Sequence, residues 1–305
     1  MTAGPARLLL AKALPTPRQV QDDYREAVER IRVLGGPSNP GTIGSAFDVW
    51  VQLHTLPRPE LDLVTRGARL VGPAVADACD LLLDRLGPPV TRPEPSFAGP
   101  WTGPAESLAP DELLRLCWAA GCLVEVFRVG GVAPGSPLST VARGRVTVLL
   151  ELAPQAAVDE LAELSALAST SLLPGLQTLA ATGPTWPNPV FAGSTFMPAD
   201  ADLVVGHTLV EVKTVLGRKA TGASGGRKAA LDAITLYQLV GYVLHDYDNA
   251  LAISSVALYQ ARYGHLAIWD LQDLLDQLAG RPVDLPELRK RWHDLLVAGK
   301  PLALS

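Results

Sequence analysis

Ala201-Asp202-Leu203-Val204-Val205-Gly206-His207-Thr208-Leu209-Val210-Glu211-Val212-Lys213-Thr214 is the stretch whose reading decides the fold. Both halves are apolar and β-branched, and Gly206-His207 interrupts them, so it reads as two short strands joined by a two-residue turn. Glycine at the first central position suits a type II′ turn. With that turn, Val205 faces Thr208, Val204 faces Leu209 and Asp202 faces Glu211. Strand alternation then places Glu211 and Lys213 on the same face as Asp202. Two opposed carboxylates repel each other unless a cation lies between them. A lysine two residues along completes an acidic pair plus ammonium, a set that can hold a divalent metal and activate water. Asp200 is the fallback acid, because the same pairing sets it opposite Lys213 and a slip of one register pair exchanges it with Asp202.

Two other stretches bear on this set. Downstream, Leu236-Tyr237-Gln238-Leu239-Val240-Gly241-Tyr242 lies in a helical run expected from about Arg227 to His245. Gln238 and Tyr242 are i and i+4, so they share one helix face. Upstream, Ile43-Gly44-Ser45-Ala46-Phe47-Asp48-Val49-Trp50 opens a helix after the Gly/Pro-rich stretch from Gly35 to Gly41. Taken alone, each has an ordinary explanation: a surface hairpin, an amphipathic core helix, a solvent-facing Asp.

Together and in this order they resemble the PD-(D/E)xK nuclease superfamily, in its RecB-like branch. Asp202 and Glu211-Val212-Lys213 look like the D…(D/E)-x-K signature, and Gln238 and Tyr242 match the Q-x-x-x-Y helix that follows it. The Gly44-Ser45 helix is similar to one in which a His stands four residues after the Gly; here that position is Asp48, a harder oxygen ligand suited to Mg²⁺. The resemblance covers roughly residues 41 to 57 and 188 to 270. It implies an α/β, restriction-endonuclease-like core, a mixed central sheet flanked by helices, with a large helical insertion. It also implies an Mg²⁺- or Mn²⁺-dependent nuclease that hydrolyses phosphodiester bonds. Asp202, Glu211, Lys213, Gln238 and Tyr242 would be catalytic, and Asp48, Asp202, Glu211 and the backbone carbonyl of Val212 would be metal ligands. The expected substrate is nucleic acid, DNA ahead of RNA, in a defence or repair role. The alternative is a catalytically silent nuclease-fold protein that binds nucleic acid or assembles a complex.

The expected organisation is N-terminal helices with the first core helix over 1–57, a mainly helical insertion over 58–187, the nuclease core over 188–275 and a C-terminal helical segment over 276–305. Helices are expected over Arg18–Val33, with Thr16 as N-cap and Pro17 at the first helical position, over two stretches of Leu61–Leu86 broken near Gly72-Pro73, and over Asp111–Phe127, Ala157–Ala168, Leu271–Leu278 and Leu285–Leu296. Gly87 to Pro110 reads as an extended connector. Arg143 to Leu152 reads equally as strand or helix. Strands are expected over Ile253–Tyr259 and Leu266–Trp269, turned at Tyr263-Gly264-His265.

The segment Leu216 to Lys228 contains Arg218, Lys219, Arg227 and Lys228 and no acid. It follows the Lys213 strand directly, so these four are candidate phosphate contacts on a glycine-rich loop that orders on binding. The formal net charge of −5 argues against a protein that coats nucleic acid non-specifically. Hydrophobic residues make up 48%, too many for a disordered chain. No apolar run approaches the ~18–20 residues that span a bilayer. The start, Met1 to Leu14, is too short and poorly flanked for a signal peptide, so a cytoplasmic protein without membrane association is expected. Cys79, Cys117 and Cys122 form no disulfide framework and no zinc spacing, and three cysteines cannot supply the four an iron–sulfur cluster needs. A protein partner is expected to use the helical insertion.

Overall fold

The computed structural model describes residues 4–56, 61–86, 108–142, 149–199, 201–219 and 227–299. Its centre is a five-stranded mixed sheet. The strands are β1 (Thr185–Pro187), β2 (Leu203–Val205), β3 (Thr208–Lys213), β6 (Ser255–Gln260) and β7 (His265–Asp270), and this is also their spatial order. Pairing is antiparallel except between β3 and β6, which run parallel through helix α10 (Ala233–His245). A two-stranded ribbon, β4 (Arg218–Lys219) with β5 (Arg227–Lys228), stands apart from this sheet.

The β2–β3 turn has the expected register: Val205 pairs with Thr208, Val204 with Leu209 and Leu203 with Val210. Gly206 has φ +59° and His207 is not among the positive-φ residues, as a type II′ turn requires. A side chain at Gly206 would also strike Leu179 O at 2.6 Å, so both conformation and space select glycine.

Alternation along the strands divides the core in two. Leu203, Val205, Val210, Val212, Ala257 and Tyr259 pack with α3 (Pro40–Thr55), α4 (Asp62–Val71), α5 (Pro73–Leu86), α6 (Pro110–Val129), α7 (Leu138–Ala142), α8 (Gln155–Ser171) and α9 (Leu173–Ala180). Val204, Leu209, Val256 and Leu258 pack with α1 (Pro5–Ala13), α2 (Arg18–Ala27), α10, α11 (Leu271–Ala279) and α12 (Leu285–Ala298). Helices therefore cover both faces, which is why β3 reads as an almost continuous apolar run. Helices from the 58–187 segment share one apolar cluster with α3 and the sheet. No helix among the described residues is long and apolar enough to cross a membrane.

Several expectations change. The helix expected from Arg227 begins at Ala233: Asp232 caps it, its carboxylate accepting the Thr235 N–H at 2.8 Å, while Arg227 and Lys228 pair with β4. Helix α2 ends at Ala27, short of Val33, and Thr16 does not cap it. The Thr16 hydroxyl donates instead to the carbonyls at the end of α11, Gln277 O at 2.8 Å and Leu278 O at 2.9 Å. Strand β1, helix α1 and helix α9 were not foreseen as elements. In Arg143–Leu152, residues 149–152 form a 3-10 turn, and 143–148 lie outside the described residues, as do 87–107 of the expected connector, Asp200, and Gly222, Gly225 and Gly226.

Candidate active site

Strand β2 begins at Leu203, so beyond that point the edge of β3 has no strand partner. The Asp202 side chain takes that place: its Oδ2 accepts the Val212 N–H at 2.7 Å. In a strand the N–H and C=O of one residue point to the same edge. The Val212 carbonyl is therefore directed to the Asp202 side, past the end of β2. The neighbouring Lys213 carbonyl points the other way and accepts the Ala261 N–H at 2.8 Å.

Glu211 is only 3% exposed, and its two oxygens are in different situations. Oε1 is bonded to Lys213 Nζ and accepts from Gln238 Nε2 at 3.1 Å. Oε2 is buried with no hydrogen-bond partner in the structure. The Gln238 amide also reaches Tyr242 Oη at 2.6 Å, so the i, i+4 pair of α10 meets β3 as one connected group. The Tyr242 ring is stacked on Phe191, with centroids 6.2 Å apart.

From the opposite layer, α3 contributes Asp48. Its approach depends on Gly44, where a Cβ would lie 3.1 Å from Thr214 Oγ1, so glycine lets α3 close on the end of β3. Sequence reasoning missed one further residue. Arg128, in the last turn of α6, donates from Nη1 to Ser45 Oγ at 3.0 Å and lines the wall beside Asp48 and Asp202. An arginine so far along the chain from every motif carries no sequence signal; only the α3–α6 packing brings it in.

A cavity of about 740 Å³ gathers Asp48, Arg128, Asp202, Glu211, Val212, Lys213, Gln238 and Tyr242 in its wall. Gly4–Ala6 of the N-terminal segment, Phe196–Ala199 and the end of α12 supply the rest of its lining, mostly apolar. Arg218, Arg227 and Lys228 lie on the β4–β5 ribbon and not in this wall. Of Lys219 only the backbone is described.

The electrostatics follow from crowding acids in a confined space. Burial, then the Asp202 charge, pushes the Glu211 pKa up to about 8, although Lys213 and Arg128 act against the rise. Asp48 is raised well above the carboxylate range by burial, with Asp202 and Glu211 adding to it. Burial works to lower Lys213, but the carboxylates of Glu211, Asp202 and Asp48 outweigh it and its pKa ends above the ordinary value. Lys213 is thus held as an ammonium. The three cysteines are buried in α5 and α6, and burial raises each thiol pKa.

A hard divalent cation fits this donor set: one orphaned carboxylate oxygen, three carboxylates that destabilise one another's charge, and a strand-edge carbonyl. As the side chains stand, no three His, Cys, Asp or Glu among the described residues converge closely enough to enclose an ion. Compared with protein-family models, curated proteins and solved structures, the chain finds no match.

Proposed function

We propose that the protein is a metal-dependent phosphodiesterase acting on nucleic acid, DNA ahead of RNA, built on a PD-(D/E)xK-like core. The observation that carries the reading is the Glu211 carboxylate, buried, bonded on one oxygen to Lys213 and Gln238 and orphaned on the other. A folded chain retains such a group at a stability cost unless something else satisfies it.

Asp48, Asp202, Glu211 and the Val212 carbonyl would hold the ion, Mg²⁺ or Mn²⁺. When bound, such an ion polarises a phosphoryl oxygen and lowers the pKa of a neighbouring water. Hydrolysis forms a bond from the water oxygen to phosphorus and breaks one ester P–O bond; the proton the water loses ends on the departing oxygen, leaving a phosphomonoester and an alcohol. The raised pKa of Lys213 makes it a poor proton acceptor, so its ammonium serves to orient the water and offset the charge that builds on the phosphate. Gln238 fixes Glu211 and Tyr242 relative to each other. Arg128 presents a guanidinium whose remaining donors suit a phosphate oxygen pair.

The competing reading is a nuclease-fold protein that binds nucleic acid without cutting it. Two observations favour it: no enclosed three-ligand cluster is formed among the described residues, and Lys213 already neutralises Glu211. Incubation with labelled single- and double-stranded DNA and RNA, with and without Mg²⁺ or Mn²⁺, separates the two. The proposed enzyme cuts only with metal. Binding without cleavage, together with a melting temperature that Mn²⁺ does not move, selects the silent reading.

A further inference from the structure

Helix α12 carries polar groups that the catalytic cavity does not use. A second cavity, of about 270 Å³, is lined by Tyr247, Pro286, Arg289, Lys290 and His293. The Tyr247 and His293 rings lie 4.4 Å apart at 47°. Arg289 Nε and Nη2 are buried and have no hydrogen-bond partner in the structure. Asp246 and Asp248 act on Arg289 through their charge, but both Asp246 oxygens are turned to the Leu251 N–H at 3.3 Å. Arg289 thus lines this cavity with donors left unmet, a state that an acceptor ligand reached by a small turn of its side chain would relieve.

The two cavities are neighbours. Phe196 stands edge-on to His293, centroids 6.1 Å apart, and Phe196 is itself in the wall of the catalytic cavity. The Phe196–His293 contact thus joins the wall of one cavity to the wall of the other.

We propose that the second cavity is a nucleotide subsite for the strand whose scissile bond lies in the catalytic cavity, an inference that rests on the nuclease reading. Arg289 and Lys290 take a phosphate, and Tyr247, backed by His293, takes a base. Cations beside an aromatic face form the combination that holds a nucleic-acid strand with little regard to sequence. A base stacked on Tyr247 is unpaired, so the strand in this subsite is single. An acidic peptide would use the two cations and leave the ring without a role.

The test is binding of a fluorescein-labelled oligothymidylate in EDTA, where cleavage does not interfere, together with metal-dependent hydrolysis of bis(p-nitrophenyl) phosphate, which is too small to span both cavities. Arg289→Gln with Lys290→Gln is expected to weaken oligonucleotide binding about tenfold and to flatten the salt slope by roughly 0.7 for each phosphate no longer neutralised. Tyr247→Ala is expected to weaken it about tenfold while Tyr247→Phe preserves it, because stacking needs the ring and not the hydroxyl. Small-diester hydrolysis stays at the wild-type rate in all of them, which also shows that the fold is intact. Unchanged oligonucleotide affinity in both the double variant and Tyr247→Ala overturns the subsite and leaves the catalytic reading standing. Equal losses in Tyr247→Phe and Tyr247→Ala overturn the stacking role. If the wild type supplied with Mg²⁺ or Mn²⁺ cuts neither the small diester nor the oligothymidylate, the nuclease reading fails and the subsite is lost as part of a nuclease.

Discussion

At the scale of the residue, Glu211 is the group on which the proposed chemistry turns. Its pKa is raised in the folded chain, so the folded state binds its proton more tightly than the unfolded state does. Below the ordinary Glu pKa of 4.5 the group costs the fold nothing; as pH rises from there to about 8, deprotonation costs progressively more, and above pH 8 the full cost is present. Glu211→Gln removes that cost, so melting curves of the metal-free protein should show the variant at least as stable as wild type at pH 9, with its advantage shrinking toward pH 5. The same variant should abolish cleavage. A metal competes with the proton for this carboxylate, so the rise in melting temperature caused by Mn²⁺ should be larger at pH 8.5 than at pH 6. A metal shift that does not vary with pH would remove Glu211 from the ligand set. Arg128→Ala tests the residue that sequence reading missed: we expect kcat to fall about 10²–10³-fold with a smaller change in KM, and Arg128→Lys to recover only part of the loss. A wild-type kcat in Arg128→Ala would reduce Arg128 to a helix-packing contact with Ser45.

At the scale of the element, the site is assembled by how closely α3 and α6 approach. Gly121 of α6 is the contact point: a Cβ there would lie 2.7 Å from Ala46 N and 2.8 Å from Thr42 O, both backbone atoms of α3 that cannot rotate away. Gly121→Ala should therefore destabilise the fold by about 1–3 kcal/mol. Because the same contact carries Asp48 on one helix and Arg128 on the other, activity should fall further than the loss of folded protein explains. Denaturant unfolding paired with activity per folded molecule measures both. The β4–β5 ribbon is tested separately. Neutralising Arg218, Lys219, Arg227 and Lys228 together should weaken nucleic-acid binding and lower its salt slope by roughly 0.7–0.9 for each phosphate they neutralise. An unchanged slope would show that substrate does not cross the ribbon.

At the scale of the whole molecule, one buried ion pair ties the helical segment to the sheet. Arg262, in the β6–β7 turn, is 2% exposed; it donates to Glu160 Oε1 of α8 at 2.5 Å, to Leu34 O at 3.1 Å and to Thr214 O at 2.5 Å. The second Glu160 oxygen accepts the Gly36 N–H at 2.9 Å. This network pins the residue that follows Lys213, and so the end of β3, to a helix well upstream in the chain. Glu160→Ala leaves a buried guanidinium without its counter-charge and should cost about 3–5 kcal/mol in urea unfolding. A loss under about 1 kcal/mol would show that the segment is docked by apolar packing alone.

Reading the chain without its structure went furthest where the chemistry is local. Turn type, the register of Leu203–Val205 on Thr208–Val210 and the shared face of Glu211 and Lys213 follow from Gly206 and period-two alternation, because each involves residues a few positions apart; Asp202, expected opposite Glu211 on that face, instead leaves the ladder and bonds the Val212 N–H at the strand edge. The i, i+4 contact of Gln238 and Tyr242 follows from helix geometry alone. Element ends were less legible: α10 begins at Ala233 because Asp232 caps it and because β5 pairs with β4, and Thr16 abandons its cap for the carbonyls of α11. What only the tertiary structure decided is the arrival of Arg128 beside the hairpin, the Val212 N–H turned onto Asp202, and the Arg262–Glu160 tie, while Asp48 is expected there from the resemblance and not from local geometry. Those contacts depend on which helices cover which face of the sheet, and that is set by the summed burial of many apolar side chains distant in sequence, which no short stretch of residues encodes.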